Sequence, residues 1–151
     1  MPESDLKTEG IWAGPEAVRV SSTNNPAASQ LYPVMFTPAF FANRPVLVIG
    51  GGRVAERKVT ALLQVGARIR VIAPELSPGL LALTGNTSLV WVERAWSEGD
   101  VREFPEALLV FAATSDPAVN EQVAQEAHRN GRLVNRVDRP TACDFTLPGV
   151  V

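Results

Sequence analysis

The sequence predicts an α/β fold with a doubly wound parallel sheet, and three observations carry this prediction. Short apolar runs rich in β-branched residues recur along the chain, segments with helical periodicity separate these runs, and glycines lie between the first run and the first helix. Strands that alternate with helices at this spacing imply a parallel sheet with right-handed crossovers. We therefore expect helices on both faces of the sheet.

Five strands are predicted. The first, Val46 to Ile49, is a continuous apolar run that ends in glycines, as is typical of a strand buried on both faces. The other four runs are Arg68 to Ile72, Leu89 to Val92, Ala107 to Ala112 and Leu133 to Val137.

Three helices are predicted from periodicity and from start and stop signals. The first follows Gly52 and can end at Gly66, the short second one has Ser77 as its N-cap before Pro78, and the third begins at Asp116-Pro117 and ends at Asn130-Gly131. Their apolar stripes consist of Ala55, Val59, Leu62 and Leu63 in the first helix and Val119, Val123 and Ala127 in the third.

Residues 1–30 are predicted to form a flexible N-terminal extension, because they mix Pro, Gly, Ser, Thr and Asn without helical or strand periodicity. The texture becomes apolar at about Tyr32. We therefore expect one folded domain over residues 31–151, which is an ordinary length for a single domain.

The composition excludes several classes of function. A net charge of −2, with 14 basic and 16 acidic residues, gives no electrostatic case for nucleic acid or an anionic membrane surface. The N-terminus lacks the pattern of a signal peptide, and no apolar run reaches the ~20 residues of a membrane span. The single cysteine, Cys143, cannot form an internal disulfide. We expect a soluble cytoplasmic protein.

The turn after the first strand indicates dinucleotide binding. Residues Gly50 to Ala55 match G-x-G-x-x-A, in which Gly50 permits a tight turn, Gly52 leaves room for a pyrophosphate and Ala55 allows close packing of helix and strand. The helix N-terminus would present free N–H groups to the phosphates. The alternative is a strand-to-helix turn without a ligand, but the surrounding strand and helix favour a Rossmann-type NAD-binding domain.

The choice between NAD and NADP depends on the residues after the second strand. Glu75, which follows Pro74, is the only acid there, and no basic residue lies between Ala73 and Gly79, which favours NAD. Glu75 could equally do no more than open the next turn. Arg53, beside the predicted phosphate site, is the residue that speaks against this choice, since an arginine can favour a 2′-phosphate.

Two further clusters fall at the carboxyl ends of strands, where doubly wound sheets bind ligands. Thr114 could face the nicotinamide half of the cofactor or bond the turn backbone, and Asn120 could face the same crevice, although a solvated helix position is the simpler account. Arg136 and Asp138 share a face if the fifth strand persists that far, and Arg139 follows. Asp138 could act as a base while the arginines hold substrate carboxylates, or all three could be turn and surface residues.

Two remaining side chains are given no chemical role. His128 is expected at the surface near the C-terminal carbonyls of the last helix. Cys143 is expected to pack as a small apolar side chain. The sequence shows no clustered metal-ligand pattern, so no metal site is predicted.

Four blocks together resemble the N-terminal domain of sirohaem synthases and the stand-alone precorrin-2 dehydrogenases. The resemblance covers residues 32–151. Its first block is specific, because the pattern G-G-G-x-x-A-x-R-K is narrower than the general Rossmann pattern. The blocks are Val48 to Lys58, Ala112 to Asp116 with Asn120, Asn135 to Asp138, and Phe145 to Pro148.

The resemblance implies NAD-dependent oxidation of precorrin-2, a tetrapyrrole, to sirohydrochlorin, and in some members insertion of iron into the product. It implies a role for Asp138 in dehydrogenation and, where present, in chelation. The matching cofactor contacts are Gly50, Gly51, Gly52, Arg53, Val54, Pro74 and Glu75, with Thr114. Arg136 stands where family members often have an apolar residue, so its role as a substrate clamp, like those of Arg139 and Asn120, is our inference from charge and position.

Family members continue past the matched segment with a further strand, a dimerisation region and a helical domain over the substrate. This chain ends at Val151. The C-terminal dimerisation and helical regions are thus expected to be missing. We then expect residues 1–151 to bind NAD, to turn over precorrin-2 poorly and to be largely monomeric, whereas the full-length family member would form a homodimer. An NAD-sensing module without catalysis and a truncated remnant remain the alternatives.

Overall fold

The computed structural model describes residues 34–146, so the extension predicted for residues 1–30 lies outside the described residues. The strands are β1 (Val34–Met35), β2 (Pro45–Ile49), β3 (Arg68–Ala73), β4 (Leu89–Glu93), β5 (Leu109–Ala112), β6 (Leu133–Arg136) and β7 (Phe145–Thr146). The α-helices are α1 (Pro38–Phe41), α2 (Arg53–Gln64), α3 (Pro78–Ala82) and α4 (Pro117–Arg129), and short 3-10 turns cover Leu83–Gly85 and Pro140–Ala142.

The main sheet has five strands in the order β4-β3-β2-β5-β6, and every neighbouring pair is parallel. The five predicted strands are therefore confirmed, with ends that differ by one or two residues. The fourth predicted strand begins later than expected, because the amide of Ala107 closes a turn onto the carbonyl of Phe104 before β5 starts. The strand order reverses beside β2, as in a doubly wound Rossmann sheet.

Helices cover both faces of this sheet. On one face α2 buries Ala55, Val59 and Leu62 in a core that includes alternate residues of β2 and β5. On the other face α4 buries Val123 and Ala127 against the intervening residues of the same strands. Because side chains alternate along a strand, central strands with a helix on each side must be apolar at every position, which is the pattern that predicted them.

The caps of the helices follow the sequence signals. The Ser77 hydroxyl accepts a hydrogen bond from the amide of Leu80 at the start of α3, and the Asp116 carboxylate accepts one from Ala118 at the start of α4. Gly66 and Gly131 follow the ends of α2 and α4 with positive φ angles.

A second, two-stranded sheet joins the beginning and the end of the described segment. Val34 and Met35 of β1 pair in parallel with Phe145 and Thr146 of β7. Phe145 is fully buried and packs edge-on against Phe111 in β5, with ring centroids 5.2 Å apart. The sequence indicated an apolar lead-in here but neither strand, because two-residue strands leave no periodic signal.

Within residues 34–146, no helix combines the length and the apolar character needed to cross a membrane.

Candidate functional site

The candidate site lies at the carboxyl edge of the sheet, where β2 and β5 lie side by side and their connections leave in opposite directions. The amide of Gly50 donates to Ile72 at 3.0 Å, and the amide of Ala113 donates to Ile49 at 2.8 Å. These two hydrogen bonds continue the pairing of β2 with β3 and of β2 with β5 by one residue beyond the ends of the strands. A crevice at this switch point is where doubly wound sheets bind their ligands.

Two glycines after β2 are required by the close approach of neighbouring backbone. Gly50 has φ +127°, and a Cβ there would lie 2.3 Å from the carbonyl oxygen of Ala113. A Cβ on Gly51 would lie 2.1 Å from the carbonyl oxygen of Glu75. The turn is therefore held between the chain after β3 and the chain after β5, and neither position has room for a side chain.

The third glycine is different, because, apart from Gly52 and its neighbours in the chain, no atom of residues 34–146 lies within 4 Å of the place where a Cβ on Gly52 would be. Gly52 is the N-cap of α2, and no side chain caps this helix. The first amides of α2 therefore have no side-chain acceptor beside an open space. This arrangement fits the pyrophosphate of a dinucleotide, which binds uncapped helix N-termini through backbone N–H groups. Arg53 is exposed at the start of the helix, and Val54 is half-buried.

Pro74 and Glu75 form an exposed bend after β3. The Glu75 carbonyl packs against Gly51, and the Ser77 amide donates to the Gly51 carbonyl at 2.7 Å. The backbone of Glu75 thus does open the next turn, while its side chain remains in solvent at the end of β3. Both roles considered for Glu75 are compatible with this geometry.

Thr114 and Asn120 form one local network. The Thr114 hydroxyl donates to the Asn120 side-chain oxygen at 2.8 Å and accepts from the Asp116 amide at 3.2 Å. The Asn120 side chain also accepts from the Thr114 amide and donates to its carbonyl. Asn120 is fully buried, so the expectation of a solvated helix position is wrong. Thr114 makes the turn contacts that were one of its two predicted roles.

Asp138 lies just beyond β6 and is held by Arg136. The guanidinium donates from Nη2 to Oδ2 at 3.0 Å and from Nε to Oδ1 at 3.3 Å, and its Nη1 donates to Glu121 on α4. The Arg136 hydrogen bonds hold the pKa of Asp138 below its usual range against the opposing effect of burial, and a contact with Asn120 acts in the same direction. Asp138 is therefore ionised at neutral pH.

The surroundings of Arg136 differ from those expected of a side chain that binds substrate carboxylates. Its side chain is only 4% exposed, and both ends of its guanidinium are occupied by carboxylates of the protein itself. The sequence marked Arg136 and Asp138 but missed Glu121, since two residues 15 positions apart on a strand and a helix share no periodic signal. Arg139 is exposed beside this cluster.

A pocket of about 240 Å³ lies between the first turns of α2 and the end of β6. Its lining residues are Val54, Arg57, Lys58, Asn135, Arg136, Val137, Pro140, Cys143 and Thr146. Cys143 is buried, as predicted, and its Sγ accepts from the Arg136 amide at 3.2 Å. Burial raises the pKa of this thiol. Arg57 and Lys58 belong to the first block of the family resemblance, but the sequence alone indicated no role for either side chain.

His128 lies at the end of α4, and its Nε2 is 2.6 Å from Oδ2 of Asp144. His128 is thus exposed in the last turn of this helix, as expected, and a carboxylate from the chain after β6 is one of its partners. Among residues 34–146, no group of three or more His, Cys, Asp or Glu side chains is arranged to hold a metal ion.

Comparison with known proteins agrees with this geometry. Residues 40–149 match the NAD_binding_7 family, described as "Putative NAD(P)-binding". The chain is 44% identical over 108 residues to Siroheme synthase 1 of Klebsiella pneumoniae and 40% identical over 109 residues to Siroheme synthase of Mannheimia succiniciproducens. Each alignment covers 72% of this chain and 22% of the relative, so the chain spans about a fifth of the length of these proteins.

A solved structure titled "SirC, precorrin-2 dehydrogenase" has the same fold, with a TM-score of 0.58 and 34% sequence identity. The match covers 70% of this chain and 50% of that one. A nicotinamide cofactor is the ligand class that the family match and this neighbour support. The strand order, the uncapped α2 and the matched segment agree, and the chain belongs to the precorrin-2 dehydrogenase and sirohaem synthase N-terminal family.

Proposed function

We propose that this chain carries the cofactor site and the proton acceptor of an NAD-dependent precorrin-2 dehydrogenase, which oxidises precorrin-2 to sirohydrochlorin. The observation that carries the proposal is the ionised Asp138, held by Arg136 at the same sheet edge as the glycine turn. The names of the relatives supply the substrate.

The glycine turn would bind the pyrophosphate of the cofactor. Gly52 leaves the space, and the first amides of α2 provide donors without a competing side-chain cap. A nicotinamide bound beyond this turn would lie over the carboxyl ends of β2 and β5. When bound, NAD+ accepts the hydride that leaves precorrin-2. Thr114, fixed by Asn120, would border the nicotinamide half of the cofactor.

Asp138 would take the proton that accompanies the hydride. A carboxylate with a lowered pKa is a weak base and can accept a proton only from an acidic group. Loss of hydride leaves the tetrapyrrole with one positive charge more, which makes its remaining proton acidic, so a weak base is sufficient. The reaction then balances, since one hydride and one proton leave the substrate. Arg136 would act by fixing Asp138 and keeping it ionised, because each of its three side-chain nitrogens already donates to a carboxylate of the protein.

The decisive variant is Asp138→Asn, which keeps the shape of the side chain and removes its charge. We expect sirohydrochlorin formation to fall about 100-fold or more, because positioned general bases contribute roughly 10²–10⁴, while NAD affinity is unchanged. NADH production from precorrin-2 would be followed in the 151-residue chain and in a chimera extended by the C-terminal region of SirC. Undiminished turnover by the variant chimera would contradict the role of Asp138. NAD binding without turnover by the wild-type chimera would favour the NAD-sensing alternative.

NAD is proposed over NADP because Glu75 ends the bend after β3, where an acid can accept from a ribose 2′-OH and repels a 2′-phosphate. We expect Glu75→Gln to weaken NAD binding several-fold and to improve NADP binding, both measured by calorimetry. Glu93→Gln, at the exposed end of β4, is a matched control for the loss of one charge. An unchanged NAD to NADP affinity ratio in Glu75→Gln would show that Glu75 serves only the turn.

A further inference from the structure

The pocket between α2 and β6, here called the Lys58 pocket, contains a positive charge that no carboxylate of residues 34–146 pairs with. Lys58 is half-buried, and burial lowers its pKa. Among residues 34–146 no side chain or backbone group forms a hydrogen bond or an ion pair with its ammonium group. An ammonium group that is partly removed from water without a partner is costly, so an anionic ligand beside it would be favourable.

The other polar groups around the Lys58 pocket do not supply that partner. The thiol of Cys143 is close enough to influence Lys58, but its own raised pKa keeps it neutral at neutral pH. The Asn135 side chain is committed to the carbonyl of Phe145 at 2.8 Å. Arg57 adds a second, exposed cation to the lining. The pocket therefore has a net positive charge.

Arg136, in the same pocket lining, shows how the chain balances the charge of another buried cation. Arg136 has two carboxylate partners, Asp138 and Glu121. Lys58 has none among the described residues. The difference suggests that the partner of Lys58 arrives with a ligand.

The position of the Lys58 pocket narrows the class of ligand. Val54 belongs both to its lining and to the first turn of α2, and Val137 in its lining precedes Asp138. The pocket thus lies between the proposed cofactor turn and the proposed proton acceptor. It lies on the β6 side of α2, whereas the adenosine ribose of a dinucleotide binds at the end of the second strand of the sheet, here β3. A substrate group fits this position better than a cofactor group.

We propose that the Lys58 pocket binds a carboxylate arm of the tetrapyrrole substrate, with Lys58 as the charge partner and Arg57 as a second cation. The inference rests on the proposed function. A volume of about 240 Å³ is ample for a short acid side chain. An arm anchored there would fix the macrocycle beside both the cofactor turn and Asp138, which is the kind of positioning on which turnover depends.

The test is binding of sirohydrochlorin, the octacarboxylate product, to the 151-residue chain and to its chimera with the C-terminal region of SirC, in saturating NAD, followed by its absorbance. Lys58→Met retains the apolar stem and removes the charge, Lys58→Arg retains the charge, and Arg68→Met removes one exposed charge at the opposite edge of the sheet. We expect Lys58→Met to weaken binding about tenfold or more, since a charged hydrogen bond contributes ~1.5–3 kcal/mol. Lys58→Arg and Arg68→Met should bind within about twofold of the wild type.

Two further readouts separate binding from structure. NAD affinity, measured alone, should be the same in Lys58→Met and wild type, and the thermal midpoint should stay equal or rise, because the variant removes a desolvated charge without a partner. Sirohydrochlorin affinity of the wild type should fall as the pH rises through the lowered pKa of Lys58, and that of Lys58→Arg should not. The groups facing Lys58 in this titration are Arg57, Cys143 and Arg136.

The outcomes distinguish the two proposals. Equal sirohydrochlorin binding by Lys58→Met and wild type would overturn the Lys58 pocket and leave the proposed function intact. Weaker NAD binding in Lys58→Met would assign the pocket to the cofactor and also overturn the inference. Failure of both the wild-type chain and the wild-type chimera with SirC to bind sirohydrochlorin, while both bind NAD, would overturn the proposed substrate, and the inference with it.

Discussion

The two halves of the candidate site are built in different ways. The glycine turn uses backbone alone: Gly50 and Gly51 are pressed against neighbouring carbonyls, and Gly52 opens onto free space. The Asp138 cluster uses side chains from separate elements, with Arg136 joining Asp138 to Glu121 on α4. A backbone site tolerates almost no change of shape, whereas a side-chain network can lose one member and keep its geometry. The following variants test that difference.

The largest effect is expected at Gly51. Gly51→Ala would place a Cβ 2.1 Å from the Glu75 carbonyl oxygen, so the backbone after β3 would have to move. We expect a loss of about 3 kcal/mol or more in the free energy of unfolding, at the upper end of what overpacking costs. Urea denaturation measures it. Wild-type stability in this variant would show that the turn can relax, and that the glycine turn tolerates a change of shape as well as the Asp138 cluster does.

Gly52→Val is the matched control at the adjacent position. Its Cβ would enter open space, so we expect the fold to survive with a loss of only ~1 kcal/mol for a poorer N-cap. The side chain would fill the place proposed for the pyrophosphate, and we expect NAD affinity to fall about 100-fold, because amides at a helix N-terminus would lose their ligand. Calorimetric titration measures it. Equal NAD binding by the variant and the wild type would refute the assignment of the cofactor to this turn.

Arg136→Met should have a specific effect on titration. Without the guanidinium, the pKa of Asp138 should rise, because the Arg136 hydrogen bonds that lower it are lost while the effect of burial, which raises it, remains. A lowered carboxyl pKa stabilises the folded state above the unfolded value of ~3.9, and this stability is lost as the pH falls through the folded pKa. The variant should therefore lose less stability than wild type on acidification from about pH 5 to pH 3.

In an active chimera, the same change should move the acidic limb of the pH–rate profile to higher pH. NMR titration of the Asp138 carboxyl group measures the shift directly. Glu121→Gln is the control, because it removes one partner of Arg136 and leaves the contact with Asp138. An Asp138 pKa that is unchanged in Arg136→Met would show that Arg136 does not control this carboxyl group.

The difference between the two regions also explains what could be predicted from the sequence. The strands, α2, α4 and the turn were predicted because apolar periodicity, caps and a glycine pattern are local signals. The burial of Asn120 was missed, because a polar residue on a helix is ordinarily solvated and only the fold brings Thr114 to it. The Arg136 contacts and the Lys58 pocket likewise depend on which elements meet, and neighbouring sequence does not contain that information.

The small sheet of β1 and β7 has a kinetic consequence. Val34 and Phe145 are paired across almost the whole described chain, and contacts with such large sequence separation carry a high entropic cost of loop closure. We expect them to form after the five-stranded sheet has brought both segments together. Thr146, which lines the Lys58 pocket, lies in β7. We therefore expect that wall of the pocket to be assembled late in folding.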